Sequence, residues 1–287
     1  MMTDEVLTMD EVAKSFRRKT VLDHCSFAIE RGSVTALVGS NGAGKSTLMS
    51  LAVGLLTPDS GNIRVLGEAV GQRGIAPGLS YLTQHKPLYP HFTVAEMLRF
   101  GRNTNAHWDD AYAAELVSAA GIAVSARVKS LSPGHRTRVA LALALGRRPE
   151  VLLLDEPLAD LDPVARRAVA RTLMRDAAEN GTTIVLSSHV LSELVDVADR
   201  LLLLRDGRIR LDGELDTITA EHYLLVGSTD AEPTVDNGTI ISDVSGSSAA
   251  VFVVHGTRPE TARPGWTVED ATVDDVVLAH LGTEVAA

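Results

Sequence analysis

Short apolar runs alternate with longer segments of helical periodicity up to about residue 205. Four of the runs are mainly apolar and free of charge in their centres, as expected of strands buried on both faces of a sheet. They are SVTALVG, LSYLTQ, VLLLDEP and TTIVLSSH. Because helix-like segments lie between them, the pattern predicts an α/β domain built on a mainly parallel sheet.

The two ends of the chain have a different pattern. Near the start, VLTMDEVAKSF and VLDHCSFAIERG predict two strands of a small antiparallel sheet that ends at Gly32. From about residue 224, the runs HYLLVG, GTIIS and AAVFVVHG are separated by Ser, Thr, Gly and Asp, and the helix-like DDVVLAHLG follows. We therefore expect two units, residues 1–220 and a small α+β appendage over residues 221–287.

Charge is distributed unevenly along the chain. The net charge is −10, and residues 221–287 hold 11 Asp and Glu against only Arg258 and Arg263. We interpret this excess as a solvated acidic surface of the appendage. Since an acidic surface repels phosphate backbones, we expect no nucleic-acid partner.

Composition also bears on location. The single cysteine, Cys25, cannot form an intramolecular disulfide, and the first residues are acidic and polar where a signal peptide is basic and then apolar. No apolar run reaches the roughly 18–20 residues of a membrane span. The sequence therefore favours a cytosolic location, and any membrane role is expected to run through a partner.

The segment GSNGAGKST has the pattern of a phosphate-binding loop, and it stands between a predicted strand and a predicted helix. Its glycines allow successive backbone N–H groups to face a phosphate at a helix N-terminus. Lys45 is predicted to reach the β- and γ-phosphates, and the Ser46 hydroxyl to bind Mg²⁺. The predicted nucleotide contacts from this loop are Gly39, Ser40, Asn41, Gly42, Ala43, Gly44, Lys45, Ser46 and Thr47.

Two adjacent carboxylates end the apolar run VLLLDEP. Because side chains alternate along a strand, Asp155 and Glu156 point in different directions and can have different roles. Asp155 is predicted to hold the metal ion, and Glu156 to act as general base on the attacking water. These two motifs alone would also suit a small-molecule kinase or a GTPase.

Four further motifs follow in a definite order: Gln84 after a strand, LSPGHR before a helix, PLADLDP after the Asp-Glu strand, and His189 after TTIVLSS. With the phosphate loop, this ordered set resembles the nucleotide-binding subunit of ATP-binding cassette (ABC) transporters over roughly residues 4–220. The resemblance implies a P-loop ATPase with an inserted helical subdomain at about residues 85–130. It also implies ATP and Mg²⁺ as cofactors, and a second ATP-binding subunit and a transmembrane permease as partners.

The resemblance assigns roles to three more residues. Phe16 matches the aromatic residue that stacks on adenine, although burial in a strand is the alternative explanation for an apolar residue there. Gln84 matches the glutamine that contacts Mg²⁺ or the attacking water. His189 matches the histidine that bonds the γ-phosphate and helps to orient the water.

The turn LSPGHR departs from the family's LSGGQ pattern, in which the turn of one subunit closes on the γ-phosphate held by another. Ser132 is still a favoured N-cap, and Pro133 falls at the first helical position, where its missing N–H costs nothing. Gly134 keeps its N–H, and His135 can still donate a hydrogen bond. We therefore interpret the turn as a modified contact to nucleotide through Ser132 and Gly134, with weakened closure as the alternative.

The partner surface is less defined. Tyr89 and Phe92 in LYPHFTVAEML could contact a partner's cytoplasmic helix or simply pack the helical subdomain. The helical segment and acidic tail are more similar to exporter than to importer subunits, so we expect an exporter at the cytoplasmic face of the membrane. A soluble ABC-type ATPase is the main alternative and a nucleotide kinase a lesser one.

Overall fold

The computed structural model describes residues 4–71, 76–159, 161–190, 194, 197–228, 233, 235, 238–243, 245, 249–259, 261 and 263–282. A 3₁₀ turn, Val128–Ser130, accompanies the strands and α-helices of this part of the chain. In chain order these are β1 (Glu5–Phe16), β2 (Lys19–Glu30), β3 (Val34–Val38), α1 (Lys45–Ala52), β4 (Ser60–Val65), β5 (Glu68–Ala69), β6 (Leu79–Leu82), α2 (Val94–Thr104), α3 (Asp110–Ala119), α4 (Pro133–Leu145), β7 (Val151–Leu154), α5 (Pro163–Asn180), β8 (Thr183–Ser188), β9 (Arg200–Arg205), β10 (Arg208–Glu214), α6 (Leu215–Ala220), β11 (His222–Gly227), β12 (Gly238–Asp243), β13 (Ala250–Gly256), β14 (Trp266–Asp270) and α7 (Val273–Leu281).

The central sheet has the order β10-β9-β3-β8-β7-β6, and only β10 runs antiparallel to its neighbour. Every residue of β3, β7 and β8 is buried, which explains why their sequences are mainly apolar and show no alternation with charged residues. Side chains alternate between two cores: Leu37 and Leu153 face one, whereas Val38 and Leu154 face the other. The predicted parallel sheet is confirmed.

A second sheet, of order β2-β1-β4-β5, covers one side of the central sheet. The antiparallel pair β1–β2 is the one that the sequence predicts. Helix α1 lies between the two sheets, and its Leu48 and Met49 share a core with Ile29 of β2. The phosphate loop that precedes α1 is thereby held between both sheets.

The helices α2, α3 and α4 pack together beside β6. Helix α2 begins with a capping box between Thr93 and Glu96. A buried hydrogen bond of 2.6 Å, from the Tyr112 hydroxyl to Asp176 Oδ1, ties α3 to α5. These contacts fix the orientation of the helical segment relative to the central sheet.

The residues after 221 form a third sheet, of order β12-β13-β11-β14, and the helix α7. The sheet has a small core of its own that includes Tyr223, Val254 and Trp266. Helix α7 instead buries Val276 and Val277 in the large core that contains β3 and β7. The strands and helix predicted for the appendage are present, and its last helix completes the core of the preceding residues.

Tyr112→Phe should lower the stability of the fold by about 1–3 kcal/mol, because it removes a donor from the buried carboxylate of Asp176. The midpoint of urea unfolding measures the change. Tyr89→Phe is the matched control, since Tyr89 is exposed. Coinciding midpoints for the two variants would contradict the importance of the Tyr112–Asp176 bond.

Candidate functional site

The phosphate loop, residues 39–44, connects β3 to α1 at the carboxyl edge of the central sheet. Gly44 has φ +113° at the N-cap of α1, and a Cβ placed there would lie 2.8 Å from Leu22 Cδ2. Only glycine therefore suits this position. Since Gly44 offers no side-chain cap to α1, the first N–H groups of the helix remain suited to an anion from outside the helix.

The Lys45 side chain is buried beneath this loop. Its Nζ donates hydrogen bonds to the carbonyl oxygens of Gly39, at 2.7 Å, and Ser40, at 3.2 Å. Burial lowers the pKa of Lys45, while the charges of Glu156 and Asp155 act in the opposite direction. The predicted phosphate-binding lysine thus lies within electrostatic reach of the predicted base, Glu156, and the predicted metal-binding residue, Asp155.

Asp155 and Glu156 follow β7 directly, and Ser187 of the adjacent strand β8 contacts both residues. The Ser187 hydroxyl donates to Asp155 Oδ1 at 2.8 Å and accepts from the Glu156 backbone N–H at 2.9 Å. Tyr81 lies beside Asp155, and its pKa is raised to about 12, first by burial and then by the Asp155 charge. Asp155 is held in place from two neighbouring strands.

The Glu156 carboxylate brings the three predicted catalytic residues together. Gln84 Nε2 donates to Glu156 Oε2, and His189 Nδ1 lies at hydrogen-bond distance from Oε1, each at 3.1 Å. Because a carboxylate only accepts, His189 Nδ1 carries the proton of this bond. Glu156 has φ +46°, a conformation that non-glycine residues rarely adopt and that is typical of functional sites.

Phe16 lies at the end of β1, beside the turn into β2. The residue is 43% exposed, which excludes the alternative in which it is simply buried in a strand. Lys14 Nζ lies 5.6 Å from the ring centroid. Because Val21 and Leu22 of β2 contact the position of Gly44, this hairpin borders the phosphate loop.

The turn before α4 has the predicted local structure. Ser132 is the N-cap, its Oγ accepts from the His135 N–H at 3.2 Å, and Pro133 is the first helical residue. Ser132 and His135 are exposed, and none of the hydrogen bonds found in the described residues joins this turn to Lys45 or Glu156. The turn therefore faces outward within one copy of the chain.

The motif PLADLDP links the two carboxylates to α5. Asp162 caps that helix by accepting from the N–H groups of Val164 and Ala165, each at 2.9 Å. Leu161 Cδ2 lies 3.4 Å from where a Cβ on Gly134 would be, so this motif packs under the turn before α4. Asp160 lies outside the described residues.

Comparison with known proteins identifies the family to which the chain belongs. A family model described as "ABC transporter" matches residues 22–159, and one described as "AAA domain, putative AbiEii toxin, Type IV TA system" matches residues 125–196. An Fe(3+) ions import ATP-binding protein of Rhodococcus jostii (strain RHA1) is 34% identical, over 97% of this chain and 86% of the relative. The chain belongs to the ATP-binding subunits of ABC transporters.

Other relatives of this ATP-binding subunit are named for export. The Nod factor export ATP-binding protein I of Bradyrhizobium diazoefficiens is 36% identical, over 77% of this chain and 74% of the relative. A solved structure of cbiO1 from Clostridium perfringens, part of the ABC transporter complex cbiONQ, is 28% identical with a TM-score of 0.67, covering 76% of this chain and 92% of that one.

Family membership gives this subunit ATP binding and ATP hydrolysis. Membership of this family excludes the nucleotide kinase, which the phosphate loop and the carboxylate pair alone left open. In the part of the ATP-binding subunit that the structure describes, no helix has both the length and the apolar character of a membrane span.

Two residues that contact Asp155, Ser187 and Tyr81, are not among the site residues that the sequence predicts. Both stand in strands whose apolar neighbours dominate the pattern, so they register only as minor polar interruptions of a buried run. A serine in a strand that is buried at every position needs a hydrogen-bond partner, and that requirement is the signal that could have singled out Ser187.

Ser187→Ala should lower the apparent affinity for Mg²⁺ or the ATPase turnover rate by about 10- to 100-fold. The reason is that Asp155 and the Glu156 backbone lose the hydroxyl group that orients them. Steady-state ATPase rates over a Mg²⁺ titration measure this change. Ser80→Ala is the matched control, since Ser80 is also buried but bonds the Ala144 carbonyl instead. Equal losses in the two variants would make Ser187 an ordinary structural serine.

Proposed function

We propose that two copies of this subunit close around Mg–ATP and that hydrolysis drives a separate transmembrane permease. The observation that carries the proposal is the contact of Gln84 and His189 with the Glu156 carboxylate, beside Lys45 and Asp155. In this arrangement a carboxylate is held where a water could be deprotonated next to a phosphate-binding loop.

Nucleotide binding is assigned to the phosphate loop and Phe16. The loop N–H groups and the first turn of α1 hold the phosphates, and Lys45 exchanges its carbonyl partners for β- and γ-phosphate oxygens. The exposed ring of Phe16 supports stacking on the adenine. The residues of the loop assigned to this role are Gly39, Ser40, Asn41, Gly42, Ala43, Gly44, Lys45, Ser46 and Thr47.

The metal assignment rests on the chemistry of three side chains. Asp155, Ser46 and Gln84 supply oxygen donors, which are the ligands that Mg²⁺ prefers. Asp155 is buried and already oriented by Ser187, so its second carboxylate oxygen is suited to a metal-bound water. Bound Mg²⁺ neutralises the charge that develops on the phosphates.

Hydrolysis is assigned to Glu156 and its two partners. Glu156 accepts a proton from the attacking water, Gln84 positions that water through its amide, and His189 donates to the γ-phosphate. Since Gln84 and His189 bond Glu156 directly, each must partly release the carboxylate when water and phosphate enter. The bonds therefore keep the base in place before nucleotide binds.

Closure between copies is assigned to Ser132 and Gly134. Both lie on the outward-facing turn at the N-terminus of α4, where backbone N–H groups and the helix dipole favour a phosphate. Because this turn contacts none of the phosphate-loop side chains of its own chain in the described residues, it is suited to the site of a second copy. Its Pro133 removes one donor while preserving the helix start.

Permease contact is assigned to an aromatic surface between α2 and the end of β6. Tyr89 is 50% exposed, and its ring centroid lies 4.9 Å from Phe92 and 5.3 Å from Phe100. The rings thus pack on one another and still present an apolar face, as docking surfaces do. Transport at the cytoplasmic face of the membrane is favoured over a soluble ATPase because the relatives are named for transport.

The direction of transport stays a prediction. Relatives named for import of Fe(3+) and thiamine are 34% identical, and those named for Nod factor export are 36–37% identical. We retain export as the proposal, on the composition of the helical segment and the acidic appendage. Assay of substrate movement in vesicles with the permease partner would decide it.

Glu156→Gln should bind Mg–ATP normally and hydrolyse it at least about 100-fold more slowly, because the amide keeps the shape and cannot accept the proton. Phosphate release measures turnover, and calorimetry measures ATP affinity. Glu150→Gln is the control, since Glu150 is exposed and bonds Arg31. Turnover within about threefold of the parent would show that Glu156 is not the base.

Ser132→Arg, in the Glu156→Gln background, should leave ATP binding to the monomer intact and abolish ATP-dependent dimerisation. The reason is that a bulky cation replaces the cap at the proposed contact. Light scattering with and without Mg–ATP measures the dimer fraction. Ser118→Arg, on the exposed surface of α3, is the control. Equal dimer fractions for the two arginine variants would remove Ser132 from the proposed interface.

A further inference from the structure

Three histidines that take no part in the proposed nucleotide site lie together where the third sheet meets α7. His222 begins β11 and pairs directly with His255 of β13, with ring centroids 4.8 Å apart. His280, near the end of α7, lies on another side of His222, with ring centroids 5.5 Å apart and planes at 76°. We call His222, His255 and His280 the histidine cluster.

Two nitrogens of the cluster have the separation of metal ligands. His222 Nε2 and His280 Nε2 are 3.3 Å apart. With zinc–nitrogen bonds of about 2.0–2.1 Å, two ligands at a tetrahedral angle lie roughly 3.3–3.4 Å apart. The observed separation therefore equals one edge of a zinc-centred tetrahedron. In the structure, an N–H···N hydrogen bond connects the same two atoms.

The orientation of His222 is also that of a ligand. Its Nδ1 lies 2.7 Å from the Ile218 carbonyl oxygen, and because a carbonyl only accepts, Nδ1 carries the proton. The lone pair is then on Nε2, which faces His280. Metal-bound histidines are typically fixed in this way by a backbone carbonyl on the other ring nitrogen.

Burial and several charged side chains shape the surroundings of this histidine pair. Burial is the largest cause that lowers the pKa of His222, and it is also the largest cause that lowers the pKa of His280, to about 4. Arg205 and Arg210 oppose a cation near His280, although Arg205 is ion-paired with Asp206. Glu221, whose Oε2 lies 3.8 Å from His255 Nε2, supplies opposite charge.

We propose that His222 and His280 bind a divalent transition metal ion of the zinc class, with His255 turning in as a third ligand and water completing the shell. Among the described residues no three metal-binding side chains already converge on one point, so the pair is the preformed part and His255 must reorient. The His255 side chain is 52% exposed, which leaves room for that movement. Imidazole nitrogens suit Zn²⁺, Ni²⁺ and Cu²⁺ better than Mg²⁺.

Such an ion would connect the third sheet, through β11, to α7 and therefore to the large core. His280 would pass its Nε2 proton to solvent and take one on Nδ1, so the ring stays neutral and coordinates through Nε2. This inference is independent of the proposed transport function, since it uses none of the nucleotide-site residues.

The test is Zn²⁺ titration of the full chain, without a polyhistidine tag or nucleotide and with excess Mg²⁺ to occupy oxygen-ligand sites. Calorimetry should show one Zn²⁺ per chain, and the ion should raise the melting temperature. His280→Gln should weaken binding by about tenfold or more, and His255→Ala by less. His107→Ala, an exposed histidine elsewhere, should bind as the parent does.

The proposal would be overturned if the dissociation constant of the parent protein for Zn²⁺ were about 100 μM or higher. Equal Zn²⁺ affinities of His280→Gln and His107→Ala would overturn it as well. If His280→Gln does not fold, the visible absorption spectrum of the parent protein with added Co²⁺ tests the proposal instead. Visible absorption typical of tetrahedral Co²⁺ with nitrogen ligands would support the site, and its absence would refute it.

Discussion

The arrangement of the site depends on Ser187, which ties two parallel strands at their carboxyl ends. Its hydroxyl donates to Asp155 and accepts from the Glu156 N–H, so one side chain positions both carboxylates. The parallel register of β7 with β8 and of β8 with β3 brings Lys45 and His189 to the same edge of the sheet. Loss of that register would move the proposed base, the carboxylate proposed to hold the metal and the phosphate loop away from one another.

The cluster around Glu156 combines several unfavourable features. A left-handed backbone, a buried lysine and two buried carboxylates each cost free energy unless neighbouring groups compensate. Here the charges offset one another, and Gln84, His189 and Ser187 supply hydrogen bonds. Concentrating such strain at one edge of a rigid sheet is characteristic of a site kept ready for chemistry rather than for stability.

Much of this organisation could be predicted because it is local in the sequence. The apolar runs predict β3, β6, β7 and β8, and since parallel strands share an edge, the polar residues that follow them must converge. The sequence does not predict strand β4, because four of the six residues of SGNIRV are exposed and the segment has no long apolar run. Contacts between distant segments, such as Ser187 with Asp155 and His222 with His280, leave no periodic signal in the sequence.

The position of α7 has a consequence for how the chain folds. Val276 and Val277 lie in the same core as Val38 and Leu154, more than one hundred residues earlier. Contacts of such high sequence separation slow folding, because the intervening loop must close first. During synthesis the large core therefore stays incomplete until the third sheet and α7 have emerged, and the apolar surface that α7 later covers is exposed until then.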